Sequence, residues 1–176
     1  DDRFCRRLSA FLDLFRPDAD TGFVVETRNS VPTAAGLASS ASGYAALVLA
    51  LNDLFQWQLG REQLSILARL GSGSAARSVY NGFVVWHCGA SDSGMDSVAE
   101  RITGEWPELR VGVVIVAGSE KPIGSREAMA RTVASSPFFD RWKAVAEADM
   151  HQLREAIGNH DLELLGTTAE SNAMAM

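Results

Sequence analysis

Residues 29–51 read NSVPTAAGLASSASGYAALVLAL, and the reading of this stretch decides the fold. From Ala41 onward the residues are helix formers, with apolar side chains recurring often enough to bury one face; a helix is expected from about Ser40 to Phe55. The left-hand part is a loop punctuated by Pro32 and Gly36 and built largely of small residues. It runs straight into a helix N-terminus, which carries unpaired N–H groups and roughly half a positive charge. Small residues let the backbone approach a ligand closely, and such a helix end suits an anion, most often a phosphate. A plainer role fits the same residues: Ser39, Ser40 or Ser42 as an N-cap, with small side chains allowing tight helix packing. Both readings stand at this level. The segment is not a Walker P-loop, because no Gly-Lys-Ser/Thr follows the glycine.

Outward from this stretch, strands and helices mix without a regular alternation. DDRFCRRLSAFLDLF at 1–15 reads as a helix, with Phe4, Leu8, Leu12 and Phe15 spaced along one face. RPDADTG turns the chain and FVVETR at 23–28 is strand-like. A second helix is expected over about Gly60 to Leu70, with Glu62 and Gln63 near its start. GFVVWHCG at 82–89 is a strand bounded by glycine, and DSVAERI at 96–102 fits a strand or a short helix. VGVVIVAG at 111–118 reads as a central strand. After Gly124 everything looks helical: 125–136, 138–161 and 161–176. The pattern favours an α+β fold over a doubly wound sheet. A seam near Gly104 to Leu109, around Trp106-Pro107, divides the chain into parts 1–105 and 106–176.

Composition narrows the function classes. The 176 residues are 47% hydrophobic, enough to fill a core, and the net charge of −6 argues against broad nucleic-acid or polyanion binding. Cys5 and Cys88 match no metal or redox spacing and read as buried, reduced thiols of an intracellular protein, with a single disulfide between them as the alternative. No run reaches the roughly 18–20 apolar residues of a membrane span, and no signal-peptide pattern opens the chain. A soluble cytoplasmic protein is the expectation.

Two further stretches carry chemistry. GSGSAARS, Gly71 to Ser78, puts two glycines, three serines and an arginine into eight residues. A glycine-rich turn can form a concave anion nest, and Arg77 can close on a carboxylate or phosphate with two parallel hydrogen bonds. A flexible serine-rich loop with a solvated arginine is the alternative. In SEKPIGSREAM, Ser119 to Met129, Ser125 stands where a helix begins. It is read either as a plain N-cap or, with the neighbouring N–H groups, as a holder of a second phosphate. Three candidate anion sites in an acidic chain suggest a substrate with several phosphates.

PTAAGLASSASGYAAL (32–47), SGSAARSVYNGFVVW (72–86) and GSREAMARTVASSPFF (124–139), in this order, together resemble the diphosphomevalonate decarboxylase family of the GHMP kinase superfamily. The first motif marks only the superfamily; the second is far more specific to the decarboxylases. The resemblance runs from about Phe23 to the last residue. It implies an N-terminal domain of ribosomal-protein-S5 type (domain 2-like) followed by a ferredoxin-like C-terminal domain, with substrates between them. It also implies phosphorylation of the 3-hydroxyl of mevalonate 5-diphosphate by MgATP, then loss of phosphate and CO2 to give isopentenyl diphosphate.

Carried onto this sequence, the resemblance makes Pro32, Gly36, Leu37, Ala38, Ser39 and Ser40 the ATP phosphate loop. Ser72, Gly73, Ser74, Ala75 and Ala76 would line the mevalonate site, with alanine at position 76 where many relatives have cysteine. Arg77 would hold the substrate carboxylate as the catalytic residue, and Ser125 with Arg126 would hold the substrate diphosphate. Arg126 replaces a small hydroxyl residue of the family. The metal is Mg²⁺, with Ser39 or Ser40 near it, and a homodimer is compatible with the family. The family's Lys-Tyr-Trp-Gly-Lys motif and its Asp-Ala-Gly-Pro-Asn segment, whose aspartate acts on the 3-hydroxyl, do not occur in the sequence. Asp140 and Asp161 lack that context. A central fragment, with incomplete domains at both ends and without the catalytic aspartate segment, is therefore expected. The competing expectations are a mevalonate or phosphomevalonate kinase-type relative and a phosphometabolite-binding fragment without turnover.

Overall fold

The computed structural model describes residues 2–30, 37–114 and 123–175. The chain divides into two compact units, Asp1–Arg101 and Ile102–Met176. The fold is α+β, as the mixed pattern predicts.

In the first unit, α1 (Asp2–Leu12), α2 (Ser39–Leu54), α3 (Arg61–Gly71) and the single turn α4 (Ala75–Ser78) surround one core. The quoted stretch supplies its centre. Ala41, Tyr44, Ala45, Val48 and Leu51 are buried along α2, which is the i, i+3, i+4, i+7 stripe of a one-sided helix. Leu64 and Ala68 of α3 and Ala75 of α4 meet that stripe, with Val79 just beyond α4. Phe11 and Leu12 close the core from α1, and Phe11 packs edge-on against Tyr44 at a ring separation of 4.8 Å. Phe4, expected on the same face, is half exposed at 51%, because the packed part of α1 begins only at Leu8.

The turn from α2 to α3 is held by the side chain of Asn52, which accepts from the Leu59 N–H at 2.9 Å. Gln63 accepts from the Gly60 N–H at 3.0 Å and so caps the start of α3. The sheet has two short antiparallel strands, β1 (Val84–Trp86) and β2 (Ala99–Arg101), with Val85 opposite Glu100 and Trp86 opposite Ala99. Of the ambiguous segment 96–102, residues Ala99–Arg101 form strand and none forms helix. Buried Ser65 ties this sheet to α3: its hydroxyl accepts from the Ala99 N–H at 3.1 Å and donates to the Glu62 carbonyl at 2.8 Å.

Several expectations are corrected. Residues 23–28 form no strand, and Val24 is 95% exposed; β-branched composition favours extended backbone, but a strand also needs a neighbour to take its N–H and C=O groups. For the same reason 111–114 form no ladder, and Val111, Val113 and Val114 are exposed. The rest of that run, 115–118, lies outside the described residues. Cys5 and Cys88 are free but exposed rather than buried, one on the outer face of α1 and the other just past the end of β1.

The second unit contains α5 (Ser125–Ser135), α6 (Phe139–Asn159) and α7 (Leu162–Met174). α6 and α7 pack together through Ala156, Ile157 and Thr168. Polar side chains bind the pair: Trp142 Nε1 donates to Asn172 at 3.3 Å, Asn172 Nδ2 to Asp149 at 2.8 Å, and Thr168 to Gln152 at 3.2 Å. His160, with φ 55°, ends α6, and its ring stacks on Trp106 at 5.2 Å. Among the described residues no helix is long and apolar enough to cross a membrane.

Candidate functional site

The site grows from the packing of α2 on the end of α3. Tyr44 lies one turn after Ser40 on α2, and residues four apart share a helix face. The Tyr44 ring sits directly against Gly71, the last residue of α3, so closely that a Cβ there would lie 2.1 Å from Tyr44 Cδ1. One turn nearer the N-terminus of α2, Ser40 Oγ lies 3.4 Å from Ser72 Oγ. The start of α2 and the loop leaving α3 are therefore brought together by the same helix face. These are two of the three stretches singled out in the sequence.

None of the anticipated serines caps α2. Ala38 occupies the cap position in left-handed conformation, with φ 51° and ψ 40°, and no side chain caps the helix. Ser42 instead turns its hydroxyl to the Ser39 carbonyl at 3.0 Å. The reason is the backbone: a left-handed residue at the cap directs the chain so that Ala41 N–H bonds the Ala38 carbonyl at 2.8 Å. A left-handed alanine costs about 1–2 kcal/mol. Ala38→Gly is accordingly expected to raise stability by about 0.5–1 kcal/mol, read as a higher denaturation midpoint; a fall would contradict the left-handed turn. Leu37, Ala38 and Ser40 are exposed and Ser39 half-buried. Pro32 and Gly36 lie outside the described residues.

The second stretch is a tight turn. Ala75, Ala76 and Arg77 N–H groups bond back to Ser72, Gly73 and Ser74 carbonyls at 2.8, 3.2 and 3.2 Å, so the N–H groups of Gly73 and Ser74 are not spent in this turn. Ser72, Gly73 and Ser74 are half-buried, and Arg77 is exposed. Ala75 and Ala76 are fully buried, which places their methyl groups in the core and leaves them only backbone atoms to offer a ligand. The Arg77 guanidinium lies over the Trp86 ring, 5.9 Å from its centroid. Trp86 also covers Gly73, where a Cβ would approach its Cη2 to 2.8 Å.

The β1–β2 connection supports this arrangement. Trp86 Nε1 donates to Ser97 Oγ at 3.1 Å, and the Ser97 hydroxyl donates to the His87 carbonyl at 3.0 Å. Asp96 accepts the Ala90 and Ser91 N–H groups at 2.7 and 2.9 Å, and these bonds hold its carboxyl below the usual carboxylate range. Gly89, at φ 74°, lies so close to that carboxylate that a Cβ would meet it at 2.6 Å. The sequence reading used Trp86 only as a family mark; its contacts to both ends of the Gly73–Arg77 loop require the folded chain.

Ser125 and Arg126 lie in the second unit, exposed on the first turn of α5. The cap of α5 is Gly124, extended at φ −69° and ψ 148°, so the N-cap role considered for Ser125 is corrected: it is the first helical residue. Asp161 is a helix cap, accepting from the Leu164 N–H at 2.9 Å, and Asp140 pairs with Lys143 at 3.1 Å. Among the described residues no three His, Cys, Asp or Glu side chains converge to hold a metal ion.

Comparison with known proteins gives a consistent family. Residues 1–99 match the model of the diphosphomevalonate decarboxylase-like N-terminal domain, and 111–176 match the mevalonate 5-diphosphate decarboxylase C-terminal domain. Diphosphomevalonate decarboxylase mvd1 of Aspergillus fumigatus is 42% identical over 154 residues, covering 85% of this chain and 38% of that protein. The diphosphomevalonate decarboxylase of Danio rerio is 44% identical over 149 residues, covering 82% and 36%. The chain thus spans less than two fifths of the length of these curated relatives.

Among solved structures, the mevalonate diphosphate decarboxylase of Enterococcus faecalis superimposes with a TM-score of 0.78 at 36% identity, covering 99% of this chain and 53% of that one. A structure of MDDEF in complex with MVAPP, AMPPCP and magnesium gives a TM-score of 0.78 at 38% identity, covering 96% and 52%. The fold is that of these decarboxylases, the GHMP kinase type expected from the sequence.

Proposed function

Since this chain belongs to the diphosphomevalonate decarboxylase family, we propose that the complete gene product carrying it converts mevalonate 5-diphosphate to isopentenyl diphosphate in an ATP-dependent decarboxylation. The observation that carries this reading is the junction of Ser40 with Ser72, 3.4 Å apart, at the start of the turn that carries an exposed Arg77. It sets a phosphate-binding helix end against a loop able to hold a carboxylate. Phosphoryl transfer needs little more from a protein than positioning and charge stabilisation.

The residues present fit a nucleotide. Leu37, Ala38, Ser39 and Ser40 would hold the nucleotide phosphates at the start of α2, a sixteen-residue helix whose dipole favours negative charge. Magnesium keeps several waters and is commonly held by one or two protein groups plus substrate phosphates, so a dedicated carboxylate cage is not required. Bound MgATP supplies the phosphoryl group that turns the tertiary 3-hydroxyl, a poor leaving group, into a good one.

The rest falls to this chain's residues. Ser72, Gly73 and Ser74, with the backbone of Ala75 and Ala76, line the mevalonate site. Arg77 takes the substrate carboxylate through two parallel hydrogen bonds and holds the breaking C–C bond in line with the departing phosphate. The electron pair of that bond then becomes the new double bond, and CO2 leaves. Ser125 and Arg126 hold the diphosphate. The two units correspond in this reading to the S5-type and ferredoxin-like domains.

Phosphorus NMR and mass spectrometry of the product test the assignment. Isopentenyl diphosphate is expected, whereas a phosphorylated product retaining its carboxylate would make the protein a kinase. Ser125→Ala is expected to raise KM for mevalonate 5-diphosphate about tenfold, the effect of losing one hydrogen bond to a charged group. A change confined to thermal stability would remove Ser125 from the site.

A further inference from the structure

We infer that Trp86 is a positioning residue, which holds the Arg77 guanidinium and the Gly73 turn in register through one indole ring locked by Ser97. The inference rests on the reading of Arg77 as the holder of the substrate carboxylate. Among the described residues no carboxylate pairs with Arg77, and the group its guanidinium packs against is the Trp86 ring. An acidic partner would compete with an incoming carboxylate. An aromatic face attracts the cation yet leaves the N–H fork of arginine available to a ligand.

The same ring touches the other end of the loop at Gly73, where there is no room for a side chain. Its orientation is fixed from behind. The indole N–H donates to Ser97 Oγ, Ser97 is 5% exposed, and its own proton goes to the His87 carbonyl. Trp86 pairs with Ala99 across the sheet, and Ala99 is bonded to Ser65 of α3. The loop that α3 leads into is thereby measured against a platform tied to α3 itself. Rotation of the indole would move Arg77 and the Gly73 N–H together.

The test uses steady-state kinetics of the complete protein. Trp86→Leu is expected to lower kcat/KM for mevalonate 5-diphosphate by about 5- to 30-fold, with KM for ATP changed by less than about twofold. Trp86→Phe keeps an aromatic face and should recover most of that loss. Ser97→Ala releases the ring and should cost about three- to fivefold. In an Arg77→Lys background, Trp86→Leu should add less than about twofold, because both changes act on one interaction.

Equal rates for Trp86→Leu and wild type, no rescue by phenylalanine, or fully additive losses with Arg77→Lys would each overturn the inference. Should Trp86→Leu not fold, Ser97→Ala decides alone: an unchanged rate contradicts the locked ring. A wild-type rate for Arg77→Lys and Arg77→Ala would instead remove the reading of Arg77, a separate failure that these variants identify directly.

Discussion

In the complete protein, Arg77→Ala is expected to lower the rate of decarboxylation by on the order of 10²- to 10³-fold, the loss seen when one preorganised charge-stabilising donor is removed, with ATP affinity kept within about twofold. The expectation follows from where Arg77 stands. It is exposed, follows a turn fixed by three backbone hydrogen bonds, and is held over an indole rather than neutralised by an acid. Its planar fork matches a carboxylate, and lysine does not reproduce it. The proposed nucleotide loop at Leu37–Ser40 belongs to another segment, so binding of ATP and orientation of the carboxylate are expected to separate in the kinetics. An unchanged rate in a folded variant would take Arg77 out of the site.

Gly71→Ala is expected to destabilise the protein by about 3 kcal/mol or more, at or beyond the upper end of ordinary overpacking. The new Cβ would lie 2.1, 2.4 and 2.6 Å from three ring atoms of Tyr44. Tyr44 has little room to retreat: it is 7% exposed and Phe11 stands against it. The effect reaches function, because Gly71 ends α3 immediately before Ser72. Displacing Tyr44 shifts the face of α2 that carries Ser40. Denaturant unfolding checks the size, and a change below about 0.5 kcal/mol would contradict the close approach. Tyr44→Leu, combined with Gly71→Ala, should give a smaller loss than the sum of the two, as neighbours in direct contact do.

What was legible in the sequence was set by local periodicity and by motif order. The Ala41–Leu51 stripe of α2 follows from the 3.6-residue repeat, and α3, α6 and α7 follow similarly within a residue or two. The strand GFVVW was legible because glycines bound it. FVVETR and residues 111–114 were read as strand because composition reports a preference for extended backbone and says nothing of a partner strand. The caps failed for a related reason. Serine is the commoner cap, yet Ala38 and Gly124 take those positions through backbone conformation, which side-chain statistics do not register.

The candidate site shows the same division. Gly71–Ser78 and the start of α2 were visible as two candidate anion-binding stretches, and the Ser40–Ser72 approach joins them. Ala75 and Ala76 were assigned to the site by motif; their burial shows that the turn needs them as core packing as much as backbone. Trp86 and Ser97 were not legible as support for Arg77. Eleven positions separate them, and only the register that sets Trp86 opposite Ala99 brings the hydroxyl under the indole.

The most direct test of the account is the simultaneous release of CO2 and ADP by the complete protein supplied with MgATP and mevalonate 5-diphosphate. The account predicts equal amounts of both, with neither formed when either reactant is omitted. ADP without CO2 would contradict it and make the protein a kinase of the same fold, and release of neither would leave a phosphometabolite-binding protein.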